Sequence, residues 1–343
     1  MEGYLLHEWG TEPVWGEIPD PVALPGEVLV EVEACGVGLT VLNKMHGDLD
    51  NSPDLLPRVP GHELVGRVTE AGPGADPFLV GRRVVAYFYL ICGRCDWCTS
   101  GSEPRCSNLG GWVGVHRDGG YAPMVALPER NVIPISDEID PVDATVIPDA
   151  VATPVHVAQR AQIGPQDRVA VFGAGGGVGI HMIQVAAHHG AAVAGLDIAR
   201  DKFEAIERHG AEPIDVSDLG ETDPTNLFGD GAPTVVVDLI GTADTARWAI
   251  DGLATGGRLV TLTTFRNQTV PFESRELVFR ELSILGSRYS HKRQVSEAAD
   301  LVASGAVTPV IGSVRQPQDA PALHAAIRDH SLLGRGAIAW ATT

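Results

Sequence analysis

Four of the five cysteines in this 343-residue chain fall within fifteen residues, as Cys92-Gly-Arg-Cys95-Asp-Trp-Cys98 and then Cys106 eight residues on. Thiolates at this C-x2-C-x2-C-x7-C spacing can surround one ion tetrahedrally, and zinc is the metal that favours a closed four-sulfur structural site. An iron–sulfur cluster can use similarly spaced cysteines, and free buried thiols are the plain alternative. The loop has few apolar residues to hold it in shape, which favours a structural zinc, one per chain.

A second constellation lies at Gly173-Ala174-Gly175-Gly176-Gly177-Val178-Gly179. Glycines let a backbone approach a pyrophosphate closely, and a helix that starts at such a turn offers free N–H groups and positive potential. The spacing reads as Gly173-x-x-Gly176-x-x-Gly179, one residue longer than G-x-G-x-x-G. Asp197, 18 residues after Gly179, ends the next apolar run, where a carboxylate can bind ribose hydroxyls. A carboxylate there repels a 2′-phosphate, so NAD is expected rather than NADP. A tight turn with no ligand is the plain reading of the glycines, and the flanking pattern weighs against it.

These residues need elements to hold them. Val169-Ala170-Val171-Phe172 suits a strand buried on both faces, and a helical pattern follows with Val178, Met182, Val185 and Ala186 on one face. Strands are expected at Arg168–Phe172, Ala192–Leu196, Glu212–Asp215, Thr234–Leu239, Arg258–Leu262 and Ser283–Gly286. Six strands alternating with helices predict a doubly wound parallel sheet. Upstream, Val28, Val30, Val32 and Ala34 alternate with Glu27, Leu29, Glu31 and Glu33, which predicts one buried and one mostly wet face. Pro- and Gly-punctuated short strands continue to Met124–Leu127, the pattern of a barrel-like β domain. The pattern turns helical from Asp140 to Ile163, interrupted by Pro148 and Pro154, at the expected domain junction.

The chain is long for one core, so two domains are expected. A net charge of −19 argues against nucleic acid or an anionic membrane as partner. The start, MEGYLLHEWG, lacks the basic and apolar regions of a signal peptide, and no uncharged apolar run reaches the length of a membrane span. A cytoplasmic location is the expectation, and in a reducing compartment clustered cysteines point to metal rather than disulfides.

Gly61-His62-Glu63, the four-cysteine lobe at 92–106, Gly119-Gly120-Tyr121-Ala122, Ile147-Pro148-Asp149 and the GAGGGVG turn with Asp197 stand in an order that resembles the zinc-containing medium-chain alcohol dehydrogenases over essentially the whole length. The resemblance implies a GroES-like catalytic domain (1–150, returning at 288–343) split around a Rossmann NAD-binding domain (151–287). It also implies a homodimer or homotetramer and hydride transfer between an alcohol and NAD. Family members commonly hold a catalytic zinc; His62 and Asp149 match two ligand positions, and Glu63 matches the nearby acid. By the same resemblance Thr40 would bind the substrate hydroxyl and Phe88 would line a largely apolar pocket.

The third ligand is missing. Where the family has C-G-x-C-x-T-D-x-H, this chain reads Cys35-Gly36-Val37-Gly38-Leu39-Thr40-Val41-Leu42-Asn43, with Thr40 and His46-Gly47-Asp48 anchoring the register. The ligand Cys corresponds to Gly38, the acid that orients the ligand His to Val41, and the proton-relay His to Asn43. Cys35 reads as a small buried residue ending a strand. A catalytic zinc on His62, Asp149 and Glu63 is therefore expected to be weak or absent. The leading expectation is an NAD-dependent alcohol dehydrogenase acting on an apolar or cyclic alcohol or its carbonyl. The alternatives are a zinc-independent reductase of an activated C=C or C=N bond and a non-catalytic NAD-binding protein.

Overall fold

The computed structural model describes residues 1–229, 231–262, 269–270 and 272–340. Its chain divides into two units. One comprises Met1–Ala152, Ser290–Gly305 and Pro309–Thr343; the other comprises Thr153–Tyr289 and Ala306–Thr308.

The first unit is organised around the eleven-residue strand Glu27–Val37. It pairs antiparallel with Glu63–Ala71 along most of its length, with register shifts at Leu29/Val30 and Val32/Ala34. On its other edge it changes partner: Met124–Pro128 pairs with residues 27–31, and Arg335–Ala339 pairs with residues 34–37. A strand that bulges and exchanges neighbours bends as it goes. The full sheet has seven strands. Its buried side includes Val28, Val30, Val32, Leu64, Leu127 and Ile338. The alternation predicted a wet face through Glu27 and Glu33, and here the structure differs. Both carboxylates are buried and ion-paired, Glu27 with Arg117 at 2.6 Å and Glu33 with Arg83 at 2.7 Å. Pairing with arginine is what lets an acid enter the interior.

The second unit carries six strands, all parallel, in the spatial order Glu212–Asp215, Ala192–Asp197, Arg168–Phe172, Val235–Asp238, Arg258–Thr261, Ser283–Gly286. The chain begins in the middle and winds outward both ways, which puts the reversal of strand order beside Arg168–Phe172, the place where such sheets bind ligands. The helix Gly179–His188 is buried from Gly179 to Ala186 rather than along one face only. Phe172, Leu196, Val236, Trp248 and Leu259 belong to the core on one side of the sheet. Among the described residues, no helix is long and apolar enough to cross a membrane.

Candidate active site and metal centres

The cysteine lobe is built from a four-residue helix, Asp96–Thr99, and a 3-10 turn, Glu103–Arg105. Sγ atoms lie 3.5 Å apart for Cys95 and Cys98, 3.9 Å for Cys92 and Cys98, and 4.0 Å for Cys95 and Cys106. A zinc ion with ~2.3 Å Zn–S bonds needs a tetrahedral edge of ~3.8 Å. The three separations lie near that edge, and all four sulfurs fall within 4.8 Å of one another, so the lobe could hold the ion. Backbone N–H groups of Arg94 and Cys95 pull the Cys92 thiol down to about 6, the thiolate form that a metal binds. Burial pushes Cys98 the other way, to about 12. Little apolar packing substitutes for a metal here, since Trp97 is 42% exposed and its ring faces the Arg105 guanidinium.

The turn after Arg168–Phe172 closes against the next strand's end. Asp197 Oδ2 accepts a 2.8 Å bond from the Gly175 N–H, and Oδ1 accepts one from Ala199 N–H at 3.0 Å. Gly173 donates to the Leu196 carbonyl. A Cβ at Gly179 would meet the Gly173 carbonyl oxygen at 2.0 Å, so the helix can start this close to the strand only with glycine there. Gly176, Gly177 and Val178 complete the turn, and the helix's first turn carries no acidic residue. A helix start with no acid in its first turn carries positive potential that suits a pyrophosphate. Lys202, which the sequence reading did not single out, lies across the turn, with Cδ 2.6 Å from where a Gly175 Cβ would stand. It is buried beside Asp197, against the same glycine.

His62, Glu63 and Asp149 come together in the first unit, each offering a ligand atom within 4.8 Å of the others. His62 immediately precedes the strand Glu63–Ala71, which Glu63 opens, and Asp149 sits in the π-helical turn Ile147–Val151. His62 Nε2 is 3.4 Å from Asp149 Oδ2. Its Nδ1 is buried with no hydrogen-bond partner among the described residues, while Val41, where the family carries the orienting acid, is buried and apolar. Phe88 packs on His62 with ring centroids 4.7 Å apart. Thr40 is half-buried in the first turn of the helix Leu39–Met45, next to the half-exposed Leu39. Cys35 is fully buried, and its thiol faces the Gly36 carbonyl at 3.6 Å.

Two cations complete the cluster, and neither was singled out from sequence. Arg335 Nη2 lies 3.0 Å from Glu63 Oε1 and 3.3 Å from Asp149 Oδ2. Lys44 Nζ stands 3.6 Å from the centroid of the Phe88 ring and has no hydrogen-bond partner among the described residues. Lys44 is 4% exposed and Arg335 3%. Burial draws the Lys44 ammonium well below its ordinary range, against the pull of Asp149 and Glu63. Burial also raises Glu63 to about 7, with Arg335 opposing, and lowers His62 to about 3. At pH 7 His62 is therefore neutral.

Whether these residues fit a catalytic zinc can be judged from the space and the charge. A tetrahedral site open to substrate needs three protein ligands. The place of the third is taken: a Cβ on Gly38 would fall 1.8 Å from Arg335 Nη1. Arg335 already pairs with both carboxylates, so an ion on Asp149 and His62 would sit beside a buried guanidinium. His62, Glu63 and Asp149 lie close enough to share an ion, but Arg335 already pairs with both carboxylates, so the set as it stands suits a zinc poorly.

Two sequence profiles match the chain: "Alcohol dehydrogenase GroES-like domain" over residues 24–137 and "Zinc-binding dehydrogenase" over residues 177–304. An alcohol dehydrogenase of Geobacillus stearothermophilus is 33% identical over 315 residues, covering 91% of each chain. An acryloyl-coenzyme A reductase of Metallosphaera sedula is 26% identical over 324 residues, covering 93% of this chain and 94% of the relative. Among solved structures, an NAD-dependent alcohol dehydrogenase superposes with a TM-score of 0.90 at 28% identity, covering 99% of this chain and 100% of the other.

Proposed function

The chain belongs to the zinc-binding, medium-chain alcohol dehydrogenase family of oxidoreductases, and on that footing we propose that it is an NAD-dependent dehydrogenase whose hydride transfer needs no catalytic metal. The observation that carries the reading is the pair of constructions the chain keeps and alters. It keeps a glycine turn with Asp197 bonded to Gly175 N–H, suited to a ribose and a pyrophosphate. It alters the His62 cluster, where Arg335 and Lys44 stand against Glu63 and Asp149.

When bound, the nicotinamide accepts or donates the hydride. The chain's own residues do the rest. Asp197, with Lys202 near, orients the adenosine ribose and disfavours a 2′-phosphate. Phe88 supplies an apolar wall, and Thr40 is the hydroxyl assigned to the substrate oxygen. The Cys92, Cys95, Cys98 and Cys106 sulfurs hold one structural zinc that orders their loop. The substrate is a small alcohol or its carbonyl, and like subunits assemble as a dimer or tetramer.

Reduction of a C=C bond conjugated to a carbonyl is the second reading. The site's poor fit to zinc favours it, as does likeness to a relative named acryloyl-coenzyme A reductase. In both reactions negative charge grows on a carbonyl oxygen as hydride arrives. The test is absorbance of reduced cofactor at its nicotinamide band, with panels of ketones, aldehydes and enones, after treatment with a chelator. Turnover with NADH that survives chelation and exceeds turnover with NADPH supports the reading. Absence of hydride transfer to every carbonyl and enone with either cofactor refutes it.

A further inference from the structure

Gly38, Val41 and Lys44 are spaced three apart at the cap and along the helix Leu39–Met45, so they share one side of it. Two of the three positions, Gly38 and Val41, depart from the residues the resemblance expects, and the third carries a lysine over the Phe88 ring. Gly38 has no side chain to offer a metal. Val41 offers no acceptor where the resemblance expects an orienting acid, and among the described residues His62 Nδ1 has no hydrogen-bond partner. Lys44 brings a buried amine that likewise has no acceptor among the described residues. Across from the cap, the antiparallel register that pairs Gly336 with Val37 brings Arg335 opposite Gly38, and its guanidinium enters the space a Cβ would fill.

Resting on the oxidoreductase reading above, we propose that Lys44 and Arg335 together stand in for the catalytic metal: Lys44 binds and protonates the substrate oxygen, while Arg335 occupies the lost ligand's place and holds Glu63 and Asp149. A buried ammonium has three N–H donors and demands acceptors. Among the described residues Lys44 Nζ has the Phe88 ring beneath it and no hydrogen-bond acceptor, so an oxygen arriving there meets an unused donor. Arg335 already pairs with Glu63 and Asp149, so a divalent ion bound there would add positive charge beside a buried guanidinium, which is costly in a buried site.

The chemistry balances. In reduction, the carbonyl oxygen accepts a hydrogen bond from Lys44 as the carbonyl carbon receives the hydride that a bound reduced nicotinamide would supply, which would leave the cofactor oxidised. The C–O π pair moves onto oxygen, which takes a proton from the Lys44 ammonium. The product is an alcohol and a neutral amine, and the amine regains its proton from water. Oxidation runs the same steps backwards.

The experiment compares the wild type, Lys44→Met, and the double variant Gly38→Cys/Lys44→Met. Zinc per chain, cobalt-exchange spectra, NADH binding by fluorescence, and turnover are measured on each. The proposal expects one zinc in the wild type and a second metal in the double variant. It expects Lys44→Met to bind NADH normally but to lose ~100-fold or more in kcat, with partial rescue by added ethylamine, which a merely structural lysine would not give. A second tightly held zinc in the wild type overturns it, as does wild-type kcat in Lys44→Met. If the wild type turns over no substrate, the oxidoreductase reading has failed instead. The metal content then still decides whether Lys44 and Arg335 exclude the ion.

Discussion

Adding one methyl group at Gly38 should be among the most damaging small changes in the chain. The backbone there is extended, at φ −138° and ψ 177°, a conformation any residue adopts, so Gly38→Ala introduces no backbone strain. Its damage is steric. The new Cβ would lie 1.8 Å from Arg335 Nη1 and 2.5 Å from Cζ. A long side chain often swings clear of such a contact, but Arg335 is buried and held to Glu63 at 3.0 Å and Asp149 at 3.3 Å. Moving it leaves two buried carboxylates short of their partner, and breaking a buried pair costs about 3–5 kcal/mol. For a unit of roughly 200 residues that is a fall in Tm of about 6–20 °C, at ~2–4 °C per kcal/mol. The assay is thermal and urea unfolding of Gly38→Ala beside the wild type. Loss of under ~1 kcal/mol, within the range of an ordinary surface change, would refute the placement of Arg335. Gly38→Cys shares the clash, so any zinc it gathers must also repay that loss.

Three other outcomes follow from the geometry. Cys98→Ser should release the structural zinc and lower the unfolding midpoint while leaving nucleotide affinity nearly intact; unchanged stability and metal content would contradict the four-sulfur site. Asp197→Gly should narrow the preference for NAD over NADP by removing the like-charge clash with a 2′-phosphate; wild-type turnover with NADP equal to that with NAD would refute the assignment. His62 has its pKa lowered from 6.5 to about 3, chiefly by burial. Above pH 6.5 it is neutral folded and unfolded, and between 6.5 and 3 only the unfolded chain takes the proton. Stability should therefore drop as the pH is lowered across that window, by up to ~1.4 kcal/mol per unit, and His62→Gln should flatten the slope; equal slopes in the two proteins would count against a buried neutral His62.

The architecture was legible because it rests on local patterns. Apolar runs such as Val169-Ala170-Val171-Phe172 can be nothing but buried strands once a glycine turn and helix follow them, and all six parallel strands stand where the periodicity puts them. The clustering of the four cysteines was legible for the same reason, since they lie within fifteen residues. Glu27 and Glu33 misled because alternation records which way a side chain points, and their partners Arg117 and Arg83 come from elsewhere in the chain. The His62 cluster was half legible. The loss of a ligand at Gly38 shows in the sequence, but what fills the gap does not. Arg335 stands nearly three hundred residues away and arrives only through the pairing of residues 335–339 with 34–37. Lys44 had a local signal, a lysine between Leu42 and Met45 on the buried side of a short helix, and its three-residue step from Val41 marks it as facing the same site.

The most direct test of a dehydrogenase site without a metal is an anomalous difference map recorded at the zinc edge from crystals grown with zinc present. One peak per chain, enclosed by the sulfurs of Cys92, Cys95, Cys98 and Cys106, with Arg335 and Lys44 density at the His62 cluster, is the expected result. A second peak of comparable height within bonding distance of His62 Nε2 and Asp149 would contradict the account.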